Sequence, residues 1–285
     1  MDIKKIMVVG AGQMGGGIAQ VAAQAGITVV LNDIKPEFVE KGLGLITKNL
    51  DRNIAKGKLT EEDKKAALSR IIKSTSLEDA KDVDVVIEAA IENMAIKAEI
   101  FKTLDKVTPA RAILATNTSS LPITEIAAVT NRPAQVIGMH FFNPVPVMKL
   151  VEIIRGIATS DEVYKTIEAM TLKMDKTPVE INDSPGFAVN RMLIPMINEA
   201  IFCVYEGVGT PEAIDNVMKF GANHPMGPIA LADMIGLDTC LSIMDVLYEG
   251  FKDPKYRACP LLRKMVKAGW LGQKSGRGFY SYAQK

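Results

Sequence analysis

The sequence predicts an α/β fold: an N-terminal Rossmann-type doubly wound sheet with a helical-hairpin insertion, followed by an all-α C-terminal domain. Three observations predict it. Short apolar runs alternate with amphipathic helical stretches through the first half of the chain, as in a parallel sheet covered by helices. A glycine-rich hexapeptide, residues 10–15, follows the first of these runs. After Asp183 the apolar pattern has helical periodicity and no convincing strand.

The strands of the first half are predicted from short runs of β-branched and other apolar residues. Such continuous runs are typical of strands that are buried on both faces of a sheet. These runs are residues 3–9, 27–31, 83–87, 112–115 and 136–139. Helices are predicted between them, for example over residues 15–26 and 94–106.

A helical insertion interrupts this alternation over about residues 36–70. The segment has no strand pattern and shows two amphipathic helical patterns on either side of Gly57. Residues 41–58 contain five lysine and arginine side chains against Asp51 alone, a local net charge of +4. On spacing alone, this basic arm is either a solvated helical face or a site for an anionic ligand.

The C-terminal part is predicted as helices over residues 187–205, 211–220 and 229–250. Ser184-Pro185-Gly186 breaks the chain just before them, so we predict two domains. The first predicted domain is residues 1–183, and the second, all-helical one is residues 184–285. Six methionines on the helical faces are interpreted either as a dimer interface or as ordinary core: Met192, Met196, Met218, Met226, Met234 and Met244.

The composition argues against several kinds of partner. Lys and Arg number 34 against 33 Asp and Glu, so no excess of positive charge indicates nucleic acid or an anionic membrane. No apolar run reaches the roughly 18 residues of a transmembrane helix, and residues 1–17 resemble a strand and turn rather than a signal peptide. The three cysteines are far apart and form no CxxC motif. We therefore expect a cytoplasmic protein without a disulfide framework.

Residues 10–15 have the pattern G-x-G-x-x-G of a dinucleotide fingerprint. Gly10 permits the tight turn, Gly12 lets the backbone approach a pyrophosphate, and Gly15 lets helix and strand pack closely. Asp33 ends the second predicted strand, where its carboxylate can accept hydrogen bonds from a ribose and would repel a 2′-phosphate. The pattern predicts NAD rather than NADP. FAD-binding proteins share the fingerprint, so the pattern does not exclude FAD.

Polar side chains follow two predicted strands at the edge where ligands bind in an open α/β sheet. Residues 116–120 follow one strand, and His140 and Asn143 follow the next. Glu152 lies in the apolar stretch 149–154, where an unpaired carboxylate would be costly, so we expect it to have a partner such as a histidine ring N–H. These side chains are candidates for acid–base chemistry.

Each candidate also has a purely structural interpretation. His140 could be a hydrogen-bonded core histidine, Glu152 half of an inner salt bridge, and Ser119 the N-cap of a helix over residues 122–127. A serine hydrolase is disfavoured because no G-x-S-x-G motif occurs. A metal site is disfavoured because the chain has two histidines and no acidic cluster at ligand spacing.

Over essentially its whole length, the sequence resembles the L-3-hydroxyacyl-CoA dehydrogenases, and in particular the bacterial 3-hydroxybutyryl-CoA dehydrogenases. The motifs that carry this resemblance are residues 10–15, 88–93, 117–120, 140–144, 183–191 and 276–280. Of these, His140-Phe141-Phe142-Asn143-Pro144 and the segment 183–191 are highly specific in combination.

The resemblance implies a role for each matching residue. His140 is the implied catalytic base, Glu152 the carboxylate that orients it, and Ser119 the hydroxyl that hydrogen-bonds the reacting oxygen. Asn190 is implied to position the substrate. Arg52 and Lys56 of the basic arm are implied to meet coenzyme A. Besides the fingerprint glycines and Asp33, the positions implied to contact the cofactor are Gln13, Met14, Ala89, Glu92, Lys97, Asn117, Ser119, Asn143 and Lys274.

The implied activity is NAD(H)-dependent interconversion of (S)-3-hydroxybutyryl-CoA and acetoacetyl-CoA by a homodimer or higher homo-oligomer. Three alternatives remain: a dehydrogenase of free hydroxy acids with a lysine base, an L-gulonate dehydrogenase, and a non-catalytic NAD-binding protein. The His140 and Asn190 motifs argue against the first, and the basic arm favours coenzyme A over L-gulonate. The presence of Ser119, His140 and Asn190 argues against loss of catalysis.

Overall fold

The computed structural model describes residues 2–282, so residues 1 and 283–285 of the two predicted domains lie outside the described part. The chain divides into two compact units at the Asp183–Ser184 junction. The roles that the family resemblance implies stay predictions: NAD binding for residues 1–183, and substrate binding and dimerisation for residues 184–285.

The first unit is built on one eight-stranded sheet with helices. Its strands are β1 (Lys5–Val9), β2 (Thr28–Asn32), β3 (Ile71–Ser74), β4 (Val85–Glu88), β5 (Ile113–Thr116), β6 (Val136–Phe141), β7 (Leu150–Arg155) and β8 (Thr177–Asn182). Its helices are α1 (Gln13–Gln24), α2 (Pro36–Ala55), α3 (Glu61–Ser69), α4 (Met94–Val107), α5 (Ile123–Ala128) and α6 (Asp161–Lys173). The predicted α/β class is confirmed.

The strand order β3-β2-β1-β4-β5-β6-β7-β8 reverses its direction of growth between β1 and β4. From β3 to β6 the neighbouring strands are parallel. Val9 lies in register with Asn32 and Glu88, and Glu88 with Thr116, so the carboxyl ends of four strands lie side by side. Ligands of doubly wound sheets bind at such an edge, next to the reversal point.

The sheet is not wholly parallel, because β7 runs antiparallel to β6 and β8 then pairs parallel with β7. No strand was predicted for the residues of β3, β7 or β8. β8 is an edge strand with mostly exposed or half-exposed residues, and β3 has exposed residues at its centre, so neither shows the continuous apolar run of a buried strand. β6 also extends two residues beyond the predicted strand 136–139. His140 therefore lies within β6 and not after it, which corrects the prediction.

The helical insertion predicted over about residues 36–70 is present as α2 and α3. Gly57 has a φ of 65° in the turn between them, and Thr60 begins α3 with a capping box to Asp63. α2 approaches the glycine-rich loop closely, because a Cβ on Gly42 would lie 2.4 Å from the Ala11 carbonyl oxygen. The basic arm is therefore rooted directly beside the fingerprint.

The second unit, in its described part, is helical apart from short turns and bridges. Its helices are α7 (Val189–Tyr205), α8 (Pro211–Gly221), α9 (Pro228–Ile235), α10 (Leu237–Phe251) and α11 (Pro260–Lys267). The single helix predicted over 229–250 is two, because Gly236 between them has a φ of 103°, outside the helical region. The six methionines of the predicted helical faces differ in exposure: Met244 is fully buried, whereas Met192 is 68% exposed. Among residues 2–282, no helix has the length and apolarity needed to cross a bilayer.

Candidate active site

The fingerprint loop lies at the carboxyl end of β1, and two of its glycines are required by packing. Gly10 has a φ of 101°, and a Cβ there would lie 2.5 Å from the Ala89 carbonyl oxygen. A Cβ on Gly15 would lie 1.8 Å from the carbonyl oxygen of Gly10. Around Gly12, by contrast, no atom of the described residues beyond its neighbours in the chain lies within 4 Å of an added Cβ. The loop thus has a tight turn, a close helix contact and one open glycine, as a dinucleotide fingerprint requires.

Helix α1 begins at Gln13 with Gly12 as its N-cap, and its first turn carries no acidic side chain. The positive end of the helix dipole and its N–H groups are therefore available to an anion. Gln13 Nε2 donates to Asn143 Oδ1 at 2.9 Å, which brings together two positions predicted to contact the cofactor. Met14 is half-buried and packs against the core of the first unit.

Asp33 follows β2 and holds the fingerprint loop. Its Oδ2 accepts a hydrogen bond from the Ala11 backbone N–H at 2.8 Å, and its Oδ1 accepts one from Ile34 at 2.7 Å. An ionised carboxylate has about four lone-pair sites, so each oxygen keeps room for another donor such as a ribose hydroxyl. The half-buried carboxylate lies beside the loop, as the preference for NAD requires.

His140 and Glu152 form a buried pair across two antiparallel strands. They are direct partners in the register of β6 and β7, and His140 Nδ1 lies 2.8 Å from Glu152 Oε2. Their side chains are 6% and 2% exposed. The Phe142 ring packs at 4.5 Å from the imidazole, measured between ring centroids. The partner that Glu152 was expected to have is thus the His140 ring, and the pairing fixes which ring nitrogen faces the carboxylate.

Asn117 ties the loop after β5 to the strand that carries His140. Its Oδ1 accepts a hydrogen bond from the Phe141 backbone N–H at 2.9 Å. Ser119 lies two residues further on, half-buried. The alternative interpretation of Ser119 as a helix N-cap is wrong, because α5 begins at Ile123 with Pro122 in the cap position. The segment 117–119 therefore stays close to the carboxyl end of β6.

Glu92 binds the loop that contains Ser119. Its Oε1 accepts hydrogen bonds from the backbone N–H groups of Ser119 at 2.9 Å and Ser120 at 3.1 Å, and from the Thr118 hydroxyl at 2.5 Å. Its Oε2 lies 3.5 Å from Lys97 Nζ. The carboxylate thus connects the first turn of α4 with the loop after β5.

Lys97 is buried, and its ammonium lies between two carboxylates. Nζ donates to Glu88 at 2.7 and 2.9 Å, and the side chains of Lys97 and Glu88 are 1% and 0% exposed. Glu88 also accepts from the Thr116 hydroxyl at 2.7 Å and from the Ala90 N–H at 2.6 Å. The contacts that Lys97 makes in the structure are therefore with protein carboxylates.

A second buried lysine supports the loop after β6. Lys176 Nζ donates to the backbone carbonyls of Val145 at 2.5 Å and Met148 at 2.8 Å. Burial lowers the pKa of Lys176, and the neighbouring Lys149 lowers it further. This side chain holds the backbone that follows Asn143.

The remaining predicted residues lie in the basic arm and in the second unit. Arg52 is exposed near the end of α2, and Lys56 is exposed at its C-cap. Asn190 is a buried residue of the first turn of α7. Lys274 lies in the short 3₁₀ turn Gln273–Ser275 and pairs with Asp238 at 2.5 Å. Among the described residues, no group of three or more His, Cys, Asp or Glu side chains could hold a metal ion.

Sequence reasoning assigned no role to Glu88 and Lys176. The signal for Glu88 was available, because a carboxylate that ends a buried apolar strand requires a partner. The identity of that partner, Lys97 on the following helix, depends on tertiary structure. Lys176 gave no comparable signal, since it lies among charged residues before β8.

Two family models match most of the chain. The model described as 3-hydroxyacyl-CoA dehydrogenase, NAD binding domain, matches residues 5–184. The model described as 3-hydroxyacyl-CoA dehydrogenase, C-terminal domain, matches residues 186–282. The chain belongs to the 3-hydroxyacyl-CoA dehydrogenase family. This confirms the family predicted from the motifs and NAD as the predicted cofactor.

Individual members of the family are similar over their whole length. The chain is 66% identical to a probable 3-hydroxybutyryl-CoA dehydrogenase of Bacillus subtilis, over 100% of this chain and 99% of the relative. It is 56% identical to a 3-hydroxybutyryl-CoA dehydrogenase of Bradyrhizobium diazoefficiens, over 98% of this chain and 96% of the relative. The crystal structure of (S)-3-hydroxybutyryl-CoA dehydrogenase from Ralstonia eutropha has a TM-score of 0.97 and 54% identity, and covers 99% of this chain and 100% of its own.

Proposed function

We propose that this chain is an NAD(H)-dependent dehydrogenase that interconverts (S)-3-hydroxybutyryl-CoA and acetoacetyl-CoA. The observation that carries the proposal is the buried His140–Glu152 pair, with 2.8 Å between Nδ1 and Oε2. The pair lies on strands of the eight-stranded sheet, and the dinucleotide fingerprint lies where the strand order of that sheet reverses. Relatives named for this activity, at 56% and 66% identity, support the substrate.

The fingerprint fits NAD. The open side of Gly12 lets a pyrophosphate approach the backbone, and the start of α1 offers N–H groups to its charge. The Asp33 carboxylate suits a ribose hydroxyl and disfavours a 2′-phosphate. A bound nicotinamide would supply the hydride chemistry, and the residues of this chain bind, orient and move the proton.

In the direction of alcohol oxidation, His140 removes the hydroxyl proton from the substrate with Nε2, acting as general base. Glu152 accepts the hydrogen bond from Nδ1–H, which fixes the tautomer and stabilises the imidazolium that forms, as the acid does in a Ser-His-Asp triad. In the direction of ketone reduction, the same imidazolium returns the proton. Ser119 is assigned to donate a hydrogen bond to the oxygen as its charge develops.

The deciding experiment is an acetoacetyl-CoA reduction assay with NADH and NADPH in parallel, and with L-gulonate oxidation as the competing activity. We expect turnover of acetoacetyl-CoA with NADH, slower turnover with NADPH, and little oxidation of L-gulonate. Preference for L-gulonate would overturn the substrate assignment. Tight NADH binding without turnover of either substrate would identify a non-catalytic NAD-binding protein.

The basic arm is assigned to the phosphates of coenzyme A. The five cations of the arm are Lys41, Lys48, Arg52, Lys56 and Lys58, and none forms an ion pair with any residue in the range 2–282. Asp51, the one acidic residue of the arm, pairs with Lys64 of α3. The arm therefore presents positive charge that its own fold does not neutralise.

Lys56→Ala is expected to raise KM for acetoacetyl-CoA by about tenfold, because a hydrogen bond to a charged group contributes roughly 1.5 kcal/mol. The effect should shrink as salt is added, since exposed charges are screened. Steady-state kinetics with a short thioester that lacks the nucleotide phosphates should show no change. Lys165→Ala, an exposed lysine on α6 and outside the basic arm, is the matched control. Equal losses with both thioesters would argue against a phosphate contact.

We also propose that the protein is a cytoplasmic homodimer or higher homo-oligomer that associates through the second unit. Large apolar side chains on its helices support this, with Met192 68%, Val217 60% and Phe220 81% exposed. Contiguous exposed apolar surface is typical of association surfaces. Sedimentation equilibrium tests the proposal, and a monomer at micromolar concentration would overturn it.

A further inference from the structure

The loop that carries Ser119 is held by a charged network in the interior of the first unit. The network consists of Glu88 at the end of β4, Lys97 on α4, and Glu92 just before α4. Glu92 is 39% exposed, but the other two side chains are buried to 1% or less exposure. A buried ammonium is costly unless it is paired and hydrogen-bonded, so Lys97 requires its carboxylate partners.

Glu88 fixes the position of Lys97. It receives two hydrogen bonds from Nζ, one from the Thr116 hydroxyl and one from the Ala90 N–H. Both oxygens are therefore bonded, and the ammonium is anchored at the carboxyl edge of the sheet. Such charge-assisted hydrogen bonds are about twice as strong as neutral ones. The Glu88–Lys97 pair therefore holds the ammonium in a fixed position.

The anchored ammonium lies beside Glu92, with 3.5 Å between Nζ and Oε2. The other oxygen of Glu92 accepts the N–H groups of Ser119 and Ser120. The attraction of Lys97 for Oε2 thus turns Oε1 towards the loop. Without that cation, Glu92 would lie near the negative charge of Glu88, and the two like charges would repel each other.

We propose that Lys97 is a positioning residue, which acts through Glu92 to hold the loop 118–120 and thereby the Ser119 hydroxyl. This assignment rests on the proposed function. This role is separate from the cofactor contact that the family resemblance implies for Lys97, because it concerns the two protein carboxylates that engage the buried ammonium.

The first test is Lys97→Met, which keeps the length of the side chain and removes its charge. We expect kcat for acetoacetyl-CoA reduction to fall by about 10²-fold, since a misplacement of about 1 Å at a reacting group can cost that much. The Kd for NADH is measured alongside, because the family resemblance implies that Lys97 also contacts the cofactor. Lys102→Met is the matched control, because Lys102 lies on the same helix in an exposed pair with Glu99. It should leave both constants unchanged.

The double variant Glu88→Gln/Lys97→Met is a control for misfolding of Lys97→Met, because it removes both buried charges and keeps the side-chain volumes similar. It should fold and show the same loss of kcat. A double-mutant cycle with Ser119→Ala then tests whether Lys97 acts through Ser119. If Lys97 acts through Ser119, Lys97→Met adds no further loss in the Ser119→Ala background. A full additional loss there, or a loss confined to NADH affinity, would overturn the proposal.

Hydrogen exchange in peptides that cover residues 118–120 gives a readout that needs no turnover. Loss of an anchor raises local opening, so exchange should be faster in Lys97→Met and unchanged in Lys102→Met. Unchanged exchange in both variants would overturn the positioning role, whatever the activity. A wild-type protein without acetoacetyl-CoA turnover but with faster exchange in Lys97→Met would overturn only the proposed function.

Discussion

His140→Gln is expected to lower kcat for acetoacetyl-CoA reduction by about 10²–10⁴-fold, the usual contribution of a positioned acid–base group. Glutamine keeps a polar side chain opposite Glu152 in the cross-strand register, so the sheet should remain intact. It cannot carry the proton, however. NADH affinity should stay nearly unchanged, since the fingerprint and Asp33 lie on other strands.

The chain supplies a matched control for this experiment, because His224 is its only other histidine. His224 lies in a turn of the second unit, where its backbone N–H donates to the Met218 carbonyl. His224→Gln should therefore leave kcat unchanged. Steady-state kinetics and fluorescence titration of NADH would measure both variants. A near-normal kcat for His140→Gln would remove the histidine from the mechanism.

The parts of the fold that the sequence predicted are those with a local signal. Buried parallel strands such as β1, β4 and β5 are continuous apolar runs, and the fingerprint glycines have fixed spacing between a strand and a helix. Edge strands lack this signal, because their side chains face solvent in part. β8 has only exposed and half-buried residues and was not predicted. The gap at Gly236 was missed because helical periodicity continues on both sides of it.

The site was predictable as a set of residues but not as a geometry. His140 and Glu152 could be named, yet their contact depends on the antiparallel register of β6 and β7, and β7 was not predicted. The network of Glu88, Lys97 and Glu92 likewise joins a strand end, a helix and a loop that are distant in sequence from Ser119. Long-range polar pairs of this kind depend on tertiary structure, which spacing in one sequence does not give.

Gly12→Ala is expected to abolish tight cofactor binding without unfolding the protein. Gly12 has φ −69° and ψ −166°, which any L-residue adopts. No atom of the described residues beyond its neighbours in the chain lies within 4 Å of the added Cβ. As an N-cap, alanine should cost about 1 kcal/mol or less relative to glycine. The methyl group would instead occupy space that a pyrophosphate needs. An overpacking cost of about 1–3 kcal/mol raises the Kd for NADH by roughly 5- to 150-fold.

Gly15→Ala should instead destabilise the fold, so the two glycine variants are expected to have different effects. Its Cβ would lie 1.8 Å from the backbone oxygen of Gly10, so helix α1 must move away from β1. We expect a loss of about 3 kcal/mol or more in the free energy of unfolding, seen as a lower urea midpoint. Gly44→Ala, in open space on α2, should change neither NADH affinity nor folding by a comparable amount. If Gly12→Ala binds NADH as wild type does, the pyrophosphate does not lie against this loop, because the structure offers no other reason for that glycine.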